Sequence, residues 1–98
     1  MELTGRVRSA ALEILAYVVK HPEAKDSLAG IRTWWLSEPD RCSDKELQRA
    51  TEELLNRGLL RAFELGPGSV IFGPSEQLLE APQFFLRELS ESDANEKQ

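Results

Sequence analysis

Few residues in this 98-residue chain are equipped for chemistry: one histidine, one cysteine, some neighbouring carboxylates and a glycine-rich tetrapeptide. His21 precedes Pro22 and has no nucleophile or carboxylate at the spacing of a catalytic pair, so it reads as a capping or surface residue. Cys42 lies near the start of a predicted helix, where the positive dipole end lowers a thiol pKa. With no recognisable base beside it, the only chemistry it suggests is redox sensing. As a single cysteine it makes no internal disulfide and no cysteine metal cluster. Glu52 and Glu53 are adjacent on a helix and diverge rather than converge on a metal. Gly66-Pro67-Gly68-Ser69 is a turn, because no Lys-Ser/Thr follows as a phosphate loop requires. These readings predict no catalytic centre, no cofactor, no metal and no small-molecule ligand.

Recognition is better supplied. Trp34-Trp35 offers large contact area of the kind enriched at interface hot spots, and Phe84, Phe85 and Leu89 form a second apolar group near the C-terminus. Against these stand the residues suited to nucleic acid: Arg41, Lys45, Gln48, Arg49 and Arg61.

The elements that must position them follow from periodicity and caps. Val7, Ala11, Ile14, Leu15 and Val18 recur at helical spacing between Gly5 and Lys20, with Arg6, Arg8, Glu13 and Lys20 assigned to the surface. Thr4 is the expected cap, and His21-Pro22 ends the helix. Glu23 to Asp26 leaves room for a turn but hardly for a strand. Asp26 or Ser27 caps a second helix whose Leu28, Ile31 and Trp35 share one face. Trp34 falls away from that face, so one tryptophan is expected to be buried and the other only partly. After a loop from Ser37 to Cys42, Ser43 and Glu46 form a capping box for a third helix reaching Arg57, and Gly58 suits the left-handed position that closes it. Leu47, Ala50 and Leu54 line its inner face. Leu60 to Leu65 and Val70 to Phe72 are strand candidates around the glycine-rich turn, with Gly73-Pro74 breaking the second. Ser75 caps a final helix that Pro82 kinks or divides.

The stretch Glu52-Glu53-Leu54-Leu55-Asn56-Arg57-Gly58-Leu59-Leu60, set in the order helix, helix, helix, hairpin, helix, resembles the winged helix-turn-helix superfamily over roughly Gly5 to Phe72. The resemblance implies a mainly α fold with a small β-hairpin (α+β): a three-helix core, a wing and an extra C-terminal helix. Residues 1–89 would form one domain and 90–98 a disordered acidic tail. It also implies that the helix from Ser43 to Arg57 sits where DNA-reading members enter the major groove, exposing Asp44, Lys45, Gln48, Arg49, Glu52 and Arg57.

Charge decides between the two uses. The net charge is −5, and most of the acidity lies after Pro74, where six acidic residues face two basic ones. The rest is near neutral and lacks the basic excess that phosphate neutralisation favours. Asp44 near the start of the third helix repels phosphates, and the hairpin carries Arg61 as its one cation. A patch of Arg32, Arg41, Lys45 and Arg49 would oppose this, although mixed-charge faces are ordinarily solvated and paired. The sequence therefore predicts a non-catalytic protein-interaction or accessory domain, a homodimer or a subunit bound to a protein partner. The alternative is a small DNA-binding transcriptional regulator. Met1 to Leu12 lacks the basic start and apolar block of a secretory signal, and no apolar run approaches the roughly 20 residues of a spanning helix, which predicts a cytoplasmic protein with no membrane partner.

Overall fold

The computed structural model describes residues 5–37, 42–85 and 87. Helix α1, Gly5–Lys20, buries Val7, Ala11, Ile14, Leu15 and Val18 as its periodicity requires, and adds Ala10 and Arg8 to that face. Arg8, assigned to the surface from its charge, is buried, which corrects that expectation: next to Val7 on the helix, it lies at the border of the core-facing stripe. The Thr4 cap lies outside the described residues.

Segment 23–26 joins the hairpin where only a turn was expected. Asp26 pairs with Phe72 in a single antiparallel bridge, its N–H donating to the Phe72 carbonyl at 3.0 Å and its own carbonyl accepting from the Phe72 N–H at 2.7 Å. Ser27 then caps α2, Leu28–Gly30, by accepting from the Gly30 N–H, while the Asp26 carboxylate accepts from the Ser27 N–H. A Cβ at Gly30 would collide with that carboxylate, so glycine keeps the cap and the helix together. The second helix is not the regular α-helix that its stripe suggested. It widens into a π segment, Ile31–Trp35, with the Leu36 N–H bonding to the Ile31 carbonyl five residues back. Ile31, Trp35 and Leu36 are buried.

Helix α3, Asp44–Asn56, begins in the expected capping box: the Glu46 N–H donates to Ser43 Oγ and the Ser43 N–H to Glu46 Oε1. Leu47, Ala50, Thr51 and Leu54 are its buried positions, with the Thr51 hydroxyl donating to the Leu47 carbonyl. The helix closes through two bonds, Leu59 N–H to the Leu54 carbonyl and Gly58 N–H to the Leu55 carbonyl, around Gly58 at φ 75°. That is the paired closure a left-handed glycine makes possible.

Strands β1, Leu60–Gly66, and β2, Ser69–Pro74, form a two-stranded antiparallel hairpin, so the domain is mixed helix and strand. Gly73-Pro74 lies inside β2, opposite Arg61 and Leu60, rather than breaking it. Glycine is needed there because a Cβ would lie 3.0 Å from both the Ala24 carbonyl oxygen and Lys25 Cγ. Proline is tolerated as the last residue of the strand. A register shift between Glu64 and Gly66 marks a bulge before the Pro67-Gly68 turn.

Ser75 caps α4, Glu76–Glu80, whose Leu78 is fully buried. The helix stops at Ala81, and residues 82–85 are helical again, so Pro82 divides the segment. Ile14, Leu15, Val18, Ile31, Leu54 and Leu78 form the centre of one core between α1, α3 and the hairpin base. The tail expected over residues 90–98 lies outside the described residues. Among those described, no helix is long and apolar enough to cross a membrane.

Candidate interaction surfaces

Where α2 meets α3, arginine is neutralised by its neighbours. Arg32 donates to the Cys42 carbonyl at 3.0 Å and to Asp44 Oδ1 at 2.9 Å. Asp44 therefore holds the very cation expected to join a basic patch. Further along α3, Arg57 donates to Glu53 at 3.1 Å and Gln48 to Glu52 at 3.4 Å. Lys45, Gln48 and Arg49 are exposed, as a helix surface would offer them. Arg41, the remaining member of the expected patch, lies outside the described residues.

A groove of about 310 Å³ runs between α2 and α3, lined by Leu28, Ala29 and Thr33 on one side and Leu47 and Gln48 on the other, with Arg32 and Asp44 completing it. The next residue after Thr33 is Trp34, whose relative exposure of 71% contrasts with 5% for Trp35. The division predicted for the tryptophans is therefore sharper than expected. Trp35 stacks on Tyr17 of α1 at 5.1 Å between centroids and nearly parallel, and Tyr17 in turn meets His21 at 4.5 Å. Trp34 makes no ring contact among the described residues.

The second apolar group is partly assembled. Phe84 and Phe85 meet edge to face at 5.1 Å, with Phe84 59% exposed and Phe85 packed against the core. Leu89 lies outside the described residues. Phe85 is thus an anchor, while Phe84 is the residue left to solvent.

The hairpin holds a feature with no local signal in the sequence. Lys25 Nζ lies 4.9 Å and the Arg61 guanidinium carbon 5.2 Å from the centre of the Phe63 ring. Lys25 reaches this position because the Asp26–Phe72 bridge lays its segment beside β2 and Gly73 leaves room for its stem. The hairpin face therefore carries two cations rather than one.

Cys42 is buried, and its thiol pKa is pushed up. Burial is the largest cause; Arg32 pulls it down, while Glu46, Glu13 and Asp44 raise it further. The dipole argument, which expected a lowered value, loses to desolvation and to these carboxylates. His21 has Tyr17 as its ring partner, and the described residues hold no group of three or more His, Cys, Asp or Glu suited to a metal ion.

Comparison of the chain with protein-family models, with curated proteins and with solved structures found no match.

Proposed function

We propose that the chain is a winged-helix domain that works as a non-catalytic protein-interaction module, dimerising or docking on a protein partner through Trp34 and Phe84. The carrying observation is the exposure of Trp34, 71% for a side chain whose neighbour is almost wholly buried. Monomeric surfaces tolerate single exposed apolar residues, but tryptophan is the type most enriched where interface energy concentrates. The order α1, α2, α3 and hairpin supports the winged-helix reading, as does the closure at Gly58. The engagement of Arg32 by Asp44 supports protein over DNA, because it removes a cation from the face that a duplex would meet.

Sedimentation at rising protein concentration tests the reading. The wild-type chain is expected to self-associate, or to retain a protein from nuclease-treated extract, and Trp34→Ser to weaken either by at least about 30-fold, the scale of a hot spot of about 2 kcal/mol. Association unchanged in Trp34→Ser and Phe84→Ser would remove it.

The second reading is a DNA-binding regulator. Lys45, exposed beside Gln48 and Arg49 and meeting no carboxylate among the described residues, favours it. Duplex affinity that falls steeply with salt, and less steeply in Lys45→Ala, would establish it in place of the first.

A further inference from the structure

The backbone of β1 has a direction that its ladder reveals. Phe72 exchanges both of its backbone bonds with Asp26, so its N–H and C=O point away from β1. In an antiparallel pair, facing residues alternate between those that bond to each other and those that turn their groups outward. Ala62, the partner of Phe72, is therefore of the outward kind, and so is Glu64, two residues on. Both are exposed. Among the described residues no other group bonds along that edge. A short open strand edge is a template for added strands.

Side chains give this edge a sign. Successive strand residues alternate in face, so Arg61 and Phe63 share one side of β1, the side on which Lys25 lies over the ring. Neither cation meets a carboxylate among the described residues, in contrast to Arg32 and Arg57. Two positive charges are thus held on one aromatic ring with no compensating anion among the described residues.

We propose that the outer edge of β1 accepts, as an additional antiparallel strand, an extended segment of a partner protein that carries a carboxylate two residues after an apolar side chain. Ala62 and Glu64 supply the backbone bonds. An apolar residue of the incoming strand lies opposite Phe63, and a carboxylate two residues later lies opposite Arg61 and within reach of Lys25. A second copy of this chain fits poorly: a two-fold axis through paired β1 strands would gather both Arg61 and both Lys25 on one side. A duplex fits poorly as well, since two cations on a chain of net charge −5 neutralise few phosphates. This surface is separate from Trp34, so the two stand or fall independently.

The probe is the blocked hexapeptide Thr-Lys-Val-Thr-Glu-Thr, which sets valine against Phe63, glutamate against Arg61 and lysine against Glu64. Titrated into isotope-labelled full-length protein, it is expected to shift the amide signals of Ala62 and Glu64 and to slow their hydrogen exchange. Arg61→Glu should weaken binding at least about tenfold, with recovery when the peptide's glutamate becomes lysine, since like charges placed opposite repel. Ala62→Pro removes an outward donor and no ladder bond, so the hairpin survives while the peptide is lost. Trp34→Ser should leave peptide binding intact. The proposal is overturned if peptide at about 1 mM leaves both amides unmoved, if Ala62→Pro binds as wild type does, or if a duplex oligonucleotide takes the site more tightly through Lys25 and Arg61.

Discussion

At the junction of α2 and α3, Arg32 faces a carboxylate and a carbonyl; on the hairpin, Lys25 and Arg61 face a ring. Each region looks near neutral when its residues are counted. Their electrostatics nevertheless differ, because a carboxylate neighbour cancels a cation locally whereas an aromatic face attracts it without cancelling it. The junction is therefore a structural joint, and the hairpin a surface with charge to offer. Net charge alone would have assigned both the same role.

The largest test of this contrast compares one ring from each region. Trp35 is buried against Tyr17, and Trp35→Ala is expected to cost about 3–5 kcal/mol in denaturant melts. Phe63 is half-buried, and its loss should cost only about 1–2 kcal/mol from partial burial and two exposed cation contacts. Equal costs would mean that the hairpin face is as much a part of the core as the junction is, and would end the distinction.

Much of the junction was legible in the sequence and little of the hairpin face was. Ser43 and Glu46 announce a helix start because both partners of the box lie within one turn, and Gly58 announces its end because only glycine takes a positive φ cheaply. Trp34 and Trp35 separate on periodicity alone. Lys25 reaches Phe63 only through a bridge between Asp26 and Phe72, residues far apart in the chain, and no local pattern encodes such a pairing. The same holds for Gly73, which reads as a strand breaker until the approach of Ala24 and Lys25 explains it. The π segment escaped for another reason: one additional residue in a turn hardly alters the apolar spacing on which a helix is recognised.

Cys42 reports the balance of charge at the junction, with a smaller effect. Its folded pKa stands above the ordinary value of 9.0, so the fold favours the neutral thiol. The stability this contributes is intact below the unfolded pKa and drains away as pH rises through the folded one, because the unfolded chain then ionises first. Thermal melts between about pH 8 and 10 should accordingly show an alkaline loss in the wild-type protein that is reduced in Cys42→Ala. The same loss in both proteins would show that Arg32, the one group pulling the pKa down, fully offsets burial at this joint.

Smallest of all is the contribution of the ion pair that defines the contrast. Asp44 has a side-chain exposure of 96% and Arg32 of 25%, so water screens the pair and Asp44→Asn should change stability by no more than about 1 kcal/mol. Its consequence for recognition is larger than its consequence for folding. Asp44→Asn takes one negative charge from the face that carries Lys45 and Gln48, while the bond from Arg32 to the Cys42 carbonyl does not depend on that carboxylate. Asp44→Asn should therefore raise duplex affinity at low salt and steepen its salt dependence, while leaving the melting temperature nearly where it was. If duplex affinity stayed flat, the carboxylate would not be what separates the junction from a nucleic-acid surface, and the shape of the α2–α3 groove would have to account for the difference instead.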